Sequence, residues 1–141
     1  MEKSPVYILH KLVFALDRAA DELLQEKFGI SHNRAVVLVA ILDHQDMTQH
    51  QIALKLGRTD AAVSSLMAEL IKDGYVAVRV SEHHKRKNVV TLTPAGEALA
   101  WEAAGFLNDK FSVLASAAGV DAADYTKQTE RLFSVLMKKG S

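Results

Sequence analysis

The stretch MTQHQIALKLGRTDAAVSSLMAELIKDGY, residues 47–75, decides the fold of this chain. Thr48 opens it as a helix cap, and Gln49 to about Leu56 reads as a short helix. Gly57-Arg58-Thr59 then turns the chain, and a longer helix is predicted from Asp60 to Lys72. Ile52, Ala53, Leu56, Val63, Leu66 and Leu70 recur at helical spacing and would hold the two helices together. Ala53 is small enough to let the second helix cross closely. Two helices joined by a tight glycine-containing turn make a helix-turn-helix motif.

Downstream, Gly74-Tyr75 ends the second helix, and Val76–Val80 has the alternation and β-branching of a strand. Ser81–Asn88 is polar and basic, and Val89-Val90-Thr91-Leu92 reads as a second strand, so the pair forms a hairpin around a charged loop, a wing. Thr93 caps the next helix and Pro94 takes its first position, where a missing N–H costs nothing. That helix is predicted to run through Gly105 to about Ala118, with Gly119 as its break. Asp121 and Asp124 have the spacing of a capping box for a last helix carrying Tyr125, Leu132, Phe133, Leu136 and Met137. Upstream, Val6 to Lys27 reads as a first helix, closed by Gly29. Ser31 is the cap of a second, Asn33 to about Asp43, whose nearly unbroken apolar surface belongs in the middle of a core. The fold class is therefore mainly α with a small β-hairpin wing, a winged helix-turn-helix flanked by helices at both ends.

Length and composition narrow the choices. A chain of 141 residues, 49% apolar, supports one domain, residues 1–141. It has no cysteine, so disulfides and thiolate chemistry are excluded. The longest apolar run, Ala35–Leu42, is too short to span a bilayer, and the charged N-terminal residues do not resemble a secretory signal; a cytoplasmic protein with no membrane partner is expected. Seventeen basic and 17 acidic residues cancel, yet Arg79, Lys85, Arg86 and Lys87 stand against Glu82 alone between positions 79 and 87. A neutral chain with one basic tip suits phosphate contact at that tip. No glycine-rich phosphate loop, HExxH pattern or credible Ser/His/acid set occurs, so neither enzyme activity nor a cofactor is expected. His83 and His84 would point to opposite faces of an extended segment and make a poor chelating pair. His44 with Asp43 or Asp46 is the weak remaining pairing, and no metal site is expected.

The terminal helices carry apolar residues, among them Phe14, Phe106, Phe111, Leu114, Leu132 and Phe133, beyond what the winged module needs. A second copy of the same chain is the economical cover, which makes a homodimer the expected assembly. Residues 34–98 are assigned to the winged module, and residues 1–30 and 99–141 to a helical dimerisation region.

Taken in order, Met47–Gly57, Val63-Ser64-Ser65-Leu66, Leu70–Val76 and Val90-Thr91-Leu92-Thr93-Pro94-Ala95-Gly96 resemble the MarR family of transcription regulators. The resemblance covers essentially the whole chain. It implies a homodimer that binds a palindromic operator in double-stranded DNA. It further implies a repressor released by a small hydrophobic or aromatic ligand held between the dimerisation and DNA-binding parts. Two departures stand out. His84 occupies the place of the acid that commonly braces the wing arginine, and Asp60-Ala61-Ala62 opens the second helix where relatives carry basic or hydroxyl side chains. These features support an alternative: a winged-helix protein-interaction module, or a ligand-independent regulator with weak intrinsic DNA affinity.

On the winged-helix reading, the exposed N-terminal half of the Asp60–Lys72 helix enters the major groove. Ser64 and Ser65 are the candidates for base or phosphate contact, with Arg58, Thr59 and Gln49 on the backbone. Ala61 and Ala62 could touch a thymine methyl, and Asp60 could accept from a cytosine amino group or simply cap its helix. Lys85, Arg86 and Lys87 form the tip that would meet the minor groove. An effector cleft is expected near His10, Phe14, Ile30, His32 and Trp101.

Overall fold

The computed structural model describes residues 3–44, 46–82 and 86–139. In chain order the elements are α1 (Pro5–Phe28), α2 (His32–Asp43), α3 (Gln49–Leu56), α4 (Asp60–Lys72), β1 (Val76–Val80), β2 (Asn88–Leu92), α5 (Pro94–Ala117) and α6 (Ala122–Lys139). The chain divides into two compact units, residues 1–104 and 105–141, and the division falls inside α5.

In the first unit α2 is the central element and packs against α1, α3, α4 and β2. Its sequence explains that position: Ala35, Val37, Leu38, Ala40 and Ile41 are all buried. Ser31 starts it by accepting a hydrogen bond from the Arg34 N–H. The two helices of the turn motif have the predicted bounds. Ile52, Ala53, Val63 and Leu70 close their shared face, and Met67, one turn after Val63, joins them there. Leu56 and Leu66 are only half-buried. Thr48 and Gln51 form a full capping box at the start of α3, each side chain taking the other's backbone N–H. Gly57 lies at φ 64°, a left-handed conformation that a residue with a Cβ adopts at a cost, and it reverses the chain into Thr59. Arg34 of α2 holds the far end of α4, with Nε 3.0 Å from Glu69 and Nη1 3.0 Å from Asp73.

β1 and β2 pair antiparallel, Val76 opposite Leu92 and Val80 opposite Asn88, so β2 begins one residue earlier than the apolar pattern suggests. The Ser81 N–H donates to the Lys87 carbonyl and carries the pairing one step beyond the strands. On its other edge β2 is held by the Met47 carbonyl, which accepts from the Val90 N–H at 2.9 Å. The segment before α3 thus anchors the hairpin as well as opening the helix.

In the second unit the end of α5 packs on α6 through Phe111 and Tyr125, whose ring centres lie 6.0 Å apart. Asp121 caps α6 by accepting from the Asp124 N–H. The expected capping box is only half formed, because the Asp124 carboxylate reaches forward to Gln128 instead of back to the cap. Among the described residues no helix is long and apolar enough to cross a membrane.

Candidate nucleic-acid interface

The geometry of α4 follows from its own sequence. Val63, Met67 and Leu70 face the core, which turns Asp60, Ala61, Ala62, Ser64, Ser65 and Ala68 outward. Over its first two turns the exposed face carries only small or short polar side chains, a surface that another molecule's backbone or base edges can approach closely. Thr59 starts the helix: its hydroxyl accepts from the Ala62 N–H at 3.1 Å. This corrects the capping option for Asp60, which instead occupies the first helical position, where an acid complements the helix dipole. Thr59 accordingly has a structural task of its own.

The neighbouring candidates are tied into the same region. Arg58 is half-buried, and its Nη1 donates to Asn33 Oδ1 at 2.8 Å, linking the turn to the start of α2. Gln49 is half-buried at the first position of α3. Asp60 Oδ1 lies 2.8 Å from His50 Nδ1, an ion-pair geometry that bridges α4 to α3. Sequence alone gives His50 no role, since nothing in local periodicity pairs positions ten residues apart across a turn.

At the hairpin, Arg86 and Lys87 are exposed, while Lys85, like His83 and His84, lies outside the described residues. The loop end of β1 has its own brace. Arg79 Nη2 meets Asp46 Oδ1 at 2.6 Å, and Asp46 itself sits at φ 55°. Arg79, one of the basic residues of the wing, is therefore paired with an acid 33 residues upstream. Asp46 and Arg79, together with His44 and Glu97, line a recess of about 380 Å³ floored by Ile41, Val90 and Leu92. Among the described residues no group of three or more His, Asp or Glu is placed to hold a metal ion.

The five residues expected around an effector cleft have different surroundings. His10 and Phe14 are exposed on α1, and Trp101 is exposed on α5. Ile30 is 3% exposed and belongs to the core, which corrects its assignment as a cleft-lining side chain. His32 is half-buried at the start of α2. Its ring Nε2 stands 3.8 Å from Asp17, and its backbone N–H donates to Asp21, both on α1.

Comparison with known proteins bears on this arrangement directly. Residues 28–87, which run from the end of α1 through β1 and stop just before β2, match the sequence profile of the MarR family. Over that stretch the chain resembles the MarR family. Structures of similar fold cover nearly the whole chain. One is the MepR–DNA complex of Staphylococcus aureus, with a TM-score of 0.78, 22% identity and 97% of each chain covered. A MarR/EmrR family transcriptional regulator from Acinetobacter sp. ADP1 gives a TM-score of 0.80 at 22% identity, covering 95% of this chain and 92% of that one. The transcriptional regulator BldR of Sulfolobus solfataricus gives 0.80 at 18% identity, covering 94% and 92%. No protein of curated function matches the sequence. The MarR-type architecture of helices with a β-hairpin wing is thus established for this chain.

Proposed function

We propose that this protein is a MarR-family regulator that binds a palindromic operator as a homodimer and represses transcription from it. The observation that carries the reading is the outer face of α4. It presents Ala61, Ala62, Ser64 and Ser65 to solvent over a buried row of Val63, Met67 and Leu70. Side chains of that size let the helix lie deep in a major groove, where a helix N-terminus meets base edges. The exposed Arg86 and Lys87 of the hairpin supply phosphate or minor-groove contact. Uncovered apolar side chains on α1 and α6 support the second copy. Release by a small hydrophobic or aromatic effector is the regulatory part of this reading. Phe14 and Trp101, exposed at 70% and 64%, offer apolar faces to such a molecule.

The test is selection of duplex fragments from random sequence by the purified protein, repeated across a salt series. The expected product is a palindrome with half-sites about 10 base pairs apart, the spacing of one helical turn. Enrichment should fall when Ser64, Ser65 or Arg86 is replaced by Ala. Weak binding that is uniform across sequences would overturn operator recognition and favour a protein-interaction module built on the same fold.

A further inference from the structure

Asp60 is an acid on a face that meets a polyanion, and the structure removes the simplest reason for it. The cap of α4 is the Thr59 hydroxyl, so the Asp60 carboxylate is not needed there. It is exposed, and it is held: Oδ1 lies 2.8 Å from Nδ1 of His50, also exposed, on the preceding helix. An ionised carboxylate only accepts hydrogen bonds, so the shared hydrogen belongs to His50 Nδ1. That bond fixes the carboxylate by one oxygen and leaves Oδ2 to accept from a bound molecule. The next two residues, Ala61 and Ala62, have no polar side chain to compete for the same base pair.

In the major groove the pattern of donors and acceptors then dictates the partner. Guanine presents N7 and O6, and thymine presents O4; all are acceptors and repel a carboxylate. Adenine presents a donor at N6 beside an acceptor at N7, so one carboxylate oxygen would be repelled while the other is bound. Cytosine presents its N4 amino donor with no acceptor beside it on that edge. We propose that Asp60, positioned by His50, is a specificity-determining residue that selects cytosine at one position of each half-site. The proposal rests on the operator-binding reading above and adds to it the base that this helix reads.

The experiment repeats the selection with the full-length wild type, Asp60→Asn, His50→Ala and His50→Gln. The wild type is expected to prefer cytosine about tenfold at one symmetric position, within the range of a good side-chain-to-base contact. Asp60→Asn replaces an acceptor pair with a donor and an acceptor, the match for adenine N7 and N6, so cytosine should give way to adenine there alone. His50→Ala should blunt the cytosine preference severalfold while sparing the other positions, and His50→Gln, which keeps a donor, should restore most of it. A residue with only a structural role would weaken all sequences equally. An Asp60→Asn motif identical to that of the wild type overturns this inference alone. A wild type that enriches no motif overturns the operator-binding reading itself, and the two failures are told apart by that result.

Discussion

At Gly96 the absence of a Cβ is a packing requirement. A Cβ built there would fall inside the van der Waals envelope of the Tyr75 carbonyl, where the start of α5 crosses the end of the α4–β1 turn. The same carbonyl accepts from the Thr93 N–H, and the Thr93 hydroxyl donates to the Gly74 carbonyl, so the backbone cannot drift away. Gly105, in the middle of α5, has open space where its Cβ would be. The two glycines should therefore respond in opposite directions to the same substitution. Gly96→Ala is expected to cost about 1–3 kcal/mol, as overpacking does. Gly105→Ala should add roughly 0.5–1 kcal/mol by removing backbone freedom from the unfolded chain. Urea denaturation of both variants measures this, and a Gly96→Ala midpoint equal to that of the wild type would show that the crossing can open. The motif Thr93-Pro94-Ala95-Gly96 is legible in the sequence as a helix start. Why its last residue is glycine is not, because the reason lies in a distant backbone atom. The same limit hides His50–Asp60, Arg58–Asn33 and Arg79–Asp46, each a pairing set by how the elements cross and not by any local period.

Whole elements are easier to read than the pairings between them. The bounds of α3 and α4 follow directly from sequence, since Thr48, Gly57 and Thr59 are local signals whose physics is complete within one turn of chain. β2 is harder. Its edge is defined by the Asn88 backbone opposite Val80, and by Met47 on the other side, neither of which shows in hydropathy. This arrangement holds β2 on both flanks, while Arg86 and Lys87 stay exposed in the loop beyond the strands. Charge at an anchored tip can be tested apart from fold. Arg86→Ala with Lys87→Ala should leave thermal stability nearly unchanged, because exposed side chains away from packing contribute little. The double variant should flatten the slope of log K against log salt by about one for each phosphate that a subunit no longer neutralises. Titration of an operator duplex between low and physiological salt reads the slope. An unchanged slope with lowered affinity would assign phosphate neutralisation to residues other than these two.

For the molecule as a whole, the surface of α6 raises the question that a single chain leaves open. Leu132, Val135 and Leu136 form one row along it, with Phe133 and Met137 on the next, and each is more than half exposed. On α1, Val6 and Phe14 are exposed at 66% and 70%. A monomer in water seldom carries such rows of exposed apolar side chains without a use for them. The chain's net charge of zero gives little electrostatic reason for copies to stay apart. A two-fold dimer covers the same patch on both copies at once, so a single substitution acts twice. Leu132→Glu with Leu136→Glu would place four carboxylates in such an interface. Each truncated anchor in an interface centre is worth about 2 kcal/mol or more, so the dimer dissociation constant should rise well over 100-fold. Sedimentation equilibrium should then show a species of one chain mass where the wild type shows two, with the helical circular dichroism of the first unit retained. The isolated chain should also fail to hold the palindromic operator, since one winged module reaches only one half-site and forfeits the gain from engaging both together. A double variant that still sediments at twice the chain mass would place the dimer interface elsewhere, with the apolar face of α1 next to be tested.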